Sequence, residues 1–352
     1  MPVGESALLG GLSYIAVGRE TVTGTYNTCP ALLPCISFGM TTKKDNKIVE
    51  QIERSRTYSQ RTPQMKMVSG DVGFYFQPQL DACAYLLQNA FIGTVTSATA
   101  TGETAGAGAS SAMDHTFNIG DSYQSHTSLC LNSRRGPVTV GKVFEYSGCR
   151  INEINFAAEI NDALKCTAGI VGMNSTLTSN DVHTTTMQTS TSLLSFIDGR
   201  FSVEATNASL TSTSFWHAIS AEFGWSNNLK SDAASGRIGS EVLTVLPPGM
   251  ATFKLRCKIR FDTTTAHAAM TASTKLAAQL EFLGPTMSGS AIRQKLRFNF
   301  PAVYVHQASE PTIGGPNEVL TSDVEFHVLR QDDTTAGLAC QAILTNQRAS
   351  YA

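Results

Sequence analysis

Charge is scarce in this 352-residue chain: 15% of its residues are Asp, Glu, Lys or Arg, against about 25% in an average domain. Neither sign dominates, since 26 basic and 28 acidic residues leave a net charge of −2. No global basic field advertises a surface that grips nucleic acid. Long apolar runs are missing too. No stretch of 18 apolar residues occurs, so no membrane span is expected. The opening MPVGESALLGGLSYIAVGRE has no basic n-region, and glycines interrupt its apolar part, so no signal peptide is expected either.

Sites with recognisable chemistry are also lacking. Eight cysteines are scattered through the chain, and Cys29 and Cys35, the close pair, have a spacing that matches no common zinc motif. Cys83, Cys166 and Cys340 fall on apolar positions of periodic segments. The cysteines therefore read as small buried hydrophobes, mostly free thiols in a reducing compartment. The seven histidines form no HxH or HxxxH pair, and no metal or other cofactor is expected. GPVTVGKV (136–143) nearly spells a phosphate loop, but Val143 stands where that loop needs Ser or Thr to hold magnesium. No G-x-S-x-G elbow is present, and Asp332-Asp333 lie in a polar turn. Trp216 and Trp225 flank an apolar strand and are expected to pack. No catalytic residue emerges, and the chain reads as a non-enzyme.

What is present is alternation. In SGCRINEINFAAEINDALKCTAGIVGM (147–173), Ile154, Phe156, Ala158 and Ile160 alternate with Asn155, Ala157, Glu159 and Asn161. After the turn-like Asn161-Asp162, Leu164, Cys166, Ala168 and Ile170 alternate again. Period 2 on both sides of a polar break predicts a β-hairpin with one buried face. Before it, PQLDACAYLLQNAF predicts a helix of about three turns. Residues 94–112 are small and of low complexity and read as a surface loop. The stretch 174–192 reads as a linker.

The second half restates the first. Ile36 aligns with Ile219 and Gln77 with Asp262, offsets of 183 and 185 residues. A shorter helical segment, TAHAAMTAS, stands where the first half has its helix. KLRFNF, DVEFHVL and GLACQAIL close the second half, and the region 319–345 reads as the counterpart of the opening hairpin. The expected fold is mainly β: two tandem, similar β-sandwich or barrel domains, each with a short flanking α-helix. The expected bounds are 1–175 and 195–352, with a linker at 176–194. A polar excursion of both charge signs runs from Thr41 to Lys66 and reads as a long loop, and a shorter one runs from 224 to 241.

The order of these segments resembles the tail tube proteins of long-tailed bacteriophages, of the two-domain type. YIAVGRETVTGTYNT, VSGDVGFYFQPQLDACAYLLQNAF, HTFNIGD, HTSLCLNS, FEYSGCRINEINFAAEINDALKCTAGIVGM and NEVLTSDVEFHVL carry the likeness. The resemblance implies a structural virion protein, assembled in the host cytoplasm, that forms stacked rings and conducts double-stranded DNA to the host without binding it specifically. It further implies a homotrimeric ring with pseudo-sixfold symmetry, and tape measure, terminator and tip proteins as partners. Asn155, Glu159 and Asn161, with Asp323 and Glu325 in the second half, are then the expected lumen-facing residues. Small, neutral or acidic side chains would not hold back a passing duplex, although Lys165 and Arg150 lie nearby. Lys43, Lys44, Asp45, Lys47, Glu50, Glu53, Arg54 and Arg56 are the expected ring-stacking residues. The rival reading is a carbohydrate-binding or adhesin-like β-sandwich module, which would want an aromatic platform and an Asp-rich calcium loop; no such loop is visible.

Overall fold

The computed structural model describes residues 13–48, 61–101, 112–120, 128–135, 142–178, 192–206, 210, 216–261, 264–311, 318–331 and 338–351. Alternation around residue 160 folds as a hairpin. β9 (Lys142–Glu159) and β10 (Lys165–Gly172) are antiparallel, with Phe156 opposite Cys166 and Ile154 opposite Ala168. Asn161 turns the chain with φ 67°, a conformation that Asn tolerates better than most residues. Ile160, expected among the buried set, is 50% exposed, because β9 ends one residue before it.

β9 passes from one sheet to another. Up to Cys149 it pairs with β8 (Leu129–Arg135) and β11 (Asn174–Thr178). β8 pairs with β1 (Tyr14–Arg19), and β1 with β2 (Ala31–Leu33). Beyond the crossing, β9 pairs with β10 on one edge and β13 (Ala218–Ser226) on the other. Gly148 marks the crossing with φ 63°, and a Cβ there would lie 2.6 Å from the Met173 side chain.

From β10 this second sheet continues to β5 (Arg61–Tyr75), then to β3 (Ser37–Phe38) and β4 (Thr41–Ile48). From β13 it continues to β14 (Thr252–Arg260), β17 (Thr321–Val328) and the second half of β16 (Arg293–Ala308). The antiparallel order is thus β4–β5–β10–β9–β13–β14–β17–β16. The first four strands and the last four are one arrangement occurring twice, joined at β9–β13.

Shared irregularities make that match residue-specific. β9–β10 skips Asn152, and β16–β17 skips His306 at the same place. β8–β9 shifts register between Leu129 and Leu131, and β15 (Leu276–Thr286) does so against β16 between Leu276 and Ala278. The offsets of the sequence repeat hold as well: Phe38 pairs with Val72 as Ala221 pairs with Cys257. The counterpart of the opening hairpin is therefore β16–β17 and not the pair of strands expected at 319–345. β18 (Gln341–Asn346) pairs instead with the first half of β16, as β11 does with β9.

The apolar side of the eight-stranded sheet packs on the first half of β16. Phe298 lies 4.8 Å from Phe156 and 5.0 Å from Phe223, ring centre to ring centre. α1 (Asp81–Phe91), the helix expected in the first half, is buried on nearly every side, because Ala82, Ala84 and Ala90 let strands approach where polar residues would face water. Trp225 seals its C-terminal end, donating its indole N–H to the Ala90 carbonyl at 3.1 Å. α2 (Thr265–Thr271) is shorter and buries Ala266 and Ala269.

The expected loop at 94–112 begins as a strand. β6 (Ile92–Thr99) pairs with β7 (Met113–Ile119), and β7 adds to β18 of the other half; residues 102–111 lie outside the described residues. The expected linker begins inside β11, with 179–191 outside the described residues, as are 136–141 of the phosphate-loop look-alike. Tyr351 also ties the halves. Its carbonyl accepts from Arg19 and Gln88, and its buried ring meets Tyr85 and His115 edge-on.

Candidate functional site: one polar face, two open edges

Strand register decides which side chains share the face opposite the core. Lys165, Ala157, Glu222, Arg256, Glu325 and Gln307 form one row across the sheet. Thr167, Asn155, Gly224 and Lys254 form a second. Glu159, Ser220, Lys258 and Asp323 form a third. Asn155, Glu159, Asp323 and Glu325, chosen from two separate hairpins, therefore lie on one face. Asn161 does not; it belongs to the turn.

The face is not simply neutral or acidic. β14 contributes Lys254, Arg256 and Lys258, alternating with Phe253, Leu255 and Cys257 on the core side. These bases sit among acids: Lys254 Nζ lies 2.6 Å from Glu222 Oε1, and Arg256 Nη2 lies 2.9 Å from Glu325 Oε1. Asn155 also donates to Glu222, at 2.9 Å. Burial pushes the Glu222 carboxyl up, but the hydrogen bonds from Lys254 and Asn155 outweigh it and hold the group below the usual range. Lys258 stands opposite Asp323 in register. Lys165 turns to Asp162 at 2.5 Å, and its hydrogen bond lowers that carboxyl. Arg150 leaves the face and donates to the Leu246 carbonyl at 2.6 Å. The alternating bases of β14 were visible in the sequence as TFKLRCKIR; their acidic partners appear only through pairing.

At the end of the sheet away from Asn161, the two polar excursions meet. The first is in part a β-hairpin arm, not a loop: β4 and the start of β5 pair from Thr41–Ser69 to Ile48–Arg61. Lys43, Lys44 and Lys47 lie exposed on β4. Asp45 is in the same strand, while Glu50, Glu53, Arg54 and Arg56 lie outside the described residues. Lys44 forms an ion pair with Glu241, whose carboxyl it lowers, and the Lys66 N–H donates to the Glu241 carbonyl at 2.7 Å. Met173, Leu243 and Leu246 make a small core beneath this contact.

Among the described residues the eight-stranded sheet ends in two open edges. β4 pairs with β5 on one side, and its other edge has no strand partner among the described residues. Past Val303, β16 pairs with β17 on one side, while β15 stops at Leu276 on the other. No strand takes up that second edge among the described residues. Exposed lysines on β4 suit such an edge, because charge discourages indiscriminate pairing.

The sequence model of the phage tail tube protein family matches residues 10–328. The chain belongs to the phage tail tube protein family. No individual curated protein matches it. A tail tube protein is a structural component of the virion tail, and the family is not an enzyme family. The mainly β fold expected from the sequence is the fold found.

Proposed function

We propose that three chains close into a ring by repeating, between copies, the strand junction each chain already contains. The carrying observation is β9–β13, where two equivalent four-stranded units join edge to edge. β4 is the counterpart of β13, and the end of β16 is the counterpart of the end of β9. Each chain thus offers the two halves of a second such junction on its two open edges. Transferring the internal register puts Thr41 of one copy opposite Ser309 of the next, and Lys43 opposite Gln307, as Gly224 faces Asn155 and Ser226 faces Glu153.

Strand spacing supports three chains. Eight strands at about 4.8 Å closed alone would give a barrel of about 12 Å, three chains about 37 Å and six about 73 Å, before tilt widens each. Side chains about 5 Å deep then leave about 27 Å in the trimer, enough for a duplex of roughly 20 Å. The halves 1–175 and 195–352 act as the six pseudo-equivalent units. The polar face lines the lumen, and the bases in it do not hold the DNA because acids already engage them. Exposed Ile160 and Ile197 near the hairpin turn, and Ile238 and Met250 at the opposite end, favour head-to-tail stacking, with the β4–β5 arm setting register.

Thr41→Cys combined with Ser309→Cys, in a Cys35→Ser background, tests ring closure. Assembled protein should cross-link on mild oxidation up to a closed trimer and no further. Assembled protein that yields no dimer or trimer would overturn the junction.

A further inference from the structure

Outside the main core lies a second, much smaller cluster: Ala16, Leu32, Cys29 and Cys130, with Tyr14 and Tyr26 against it. It holds the segment between β1 and β2 against the outer side of β8. Cys29 and Cys130 are 101 residues apart in sequence, yet their sulfurs are 3.3 Å apart. Both are buried. Gly18 of β1, opposite Cys130, makes room for the approach: a Cβ there would lie 2.9 Å from the Cys29 Cα and 3.0 Å from the Cys130 sulfur.

We propose that Cys29 and Cys130 are a thiol–disulfide site that locks residues 20–30 onto β8 when the protein meets an oxidising medium. The co-reactant is a low-molecular-weight disulfide. The Cys130 sulfur, as thiolate, attacks one sulfur of that disulfide and releases the other half as a thiol. Cys29 then displaces the second half. One protein S–S bond forms and one small-molecule S–S bond breaks. Two electrons pass from the protein sulfurs to the small disulfide, and the two thiol protons end on the released thiols. The order follows from the pair: burial pushes the Cys29 thiol up, while the hydrogen bond from Cys29 lowers that of Cys130. The segment must lift for the reagent to enter, and a cluster this small resists lifting far less than the main core does. A closed loop of this length stabilises by restricting the unfolded chain. This site stands independently of the ring.

The folded full-length protein is incubated with oxidised glutathione, quenched in acid, denatured, alkylated and peptide-mapped. Cys29 and Cys130 should be recovered joined to each other, with the thermal midpoint raised by roughly 5 °C and restored by reductant. Cys130→Ser should abolish both the joined peptide and the rise. If both thiols remain alkylatable after exposed Cys35 has reacted completely, or if Cys130 is found joined to Cys149, the proposal is wrong.

Discussion

Replacing Glu222 and Glu325 with Gln would leave Lys254 and Arg256 without the carboxylates that now lie 2.6 and 2.9 Å away. Both pairs are partly exposed, so the stability lost should stay under about 1 kcal/mol each, and subunits should fold and assemble. If this face lines the lumen, as proposed, the channel would gain cations free to meet phosphates. One added phosphate contact makes affinity fall with salt at a slope of about −0.9, a change of about 3.5-fold between 50 and 200 mM. One such contact from each of three chains multiplies to about 40-fold per ring. Virions carrying both changes should therefore release DNA more slowly at low salt and recover as salt rises. The assay is ejection followed by dye fluorescence over that salt range. Normal ejection at every salt concentration from normally assembled tails would refute the reasoning, because the face would then not meet DNA.

Other expectations follow from the same structure. Tyr351→Ala removes a buried ring that joins α1 to β7 and should cost about 3–5 kcal/mol in denaturant unfolding. Gly148→Ala forces a side chain into φ 63° and against Met173, which should cost about 1–3 kcal/mol and lower the thermal midpoint. Burial lowers the pKa of His115 below its ordinary 6.5; its contribution is therefore complete above that value and is lost as pH falls through the lowered one. Thermal stability should decline below about pH 6.5, and less so in His115→Gln. Glu241→Lys sets like charges beside Lys44 and Lys66 and should reduce large assemblies in sedimentation while the circular dichroism stays β.

The sequence exposed those parts of the fold where one face is buried and the other wet. β9, β10, β14 and β17 alternate for that reason, and the repeat offsets at Ile36 and Gln77 survive in the strand register. β4 reads as a loop because its described side chains are exposed on both faces and TTKKDNKI carries no apolar period. A strand wet on both sides looks like a loop. How deeply α1 is buried was not legible, because alanines satisfy either a surface or a core. The polar face was half legible: Asn155, Glu159, Asp323 and Glu325 could be selected by alternation. That they share a face, and that β14 sets bases between them, depends on pairing across β9–β13, which no local pattern encodes.

A three-dimensional reconstruction of the assembled protein tests the central claim most directly. The account predicts three chains per ring, with the β4 edge of each chain paired to the end of β16 of its neighbour and Glu222, Arg256 and Glu325 facing the channel. A ring of six whole chains, or one in which the β4 edge faces solvent, would contradict it.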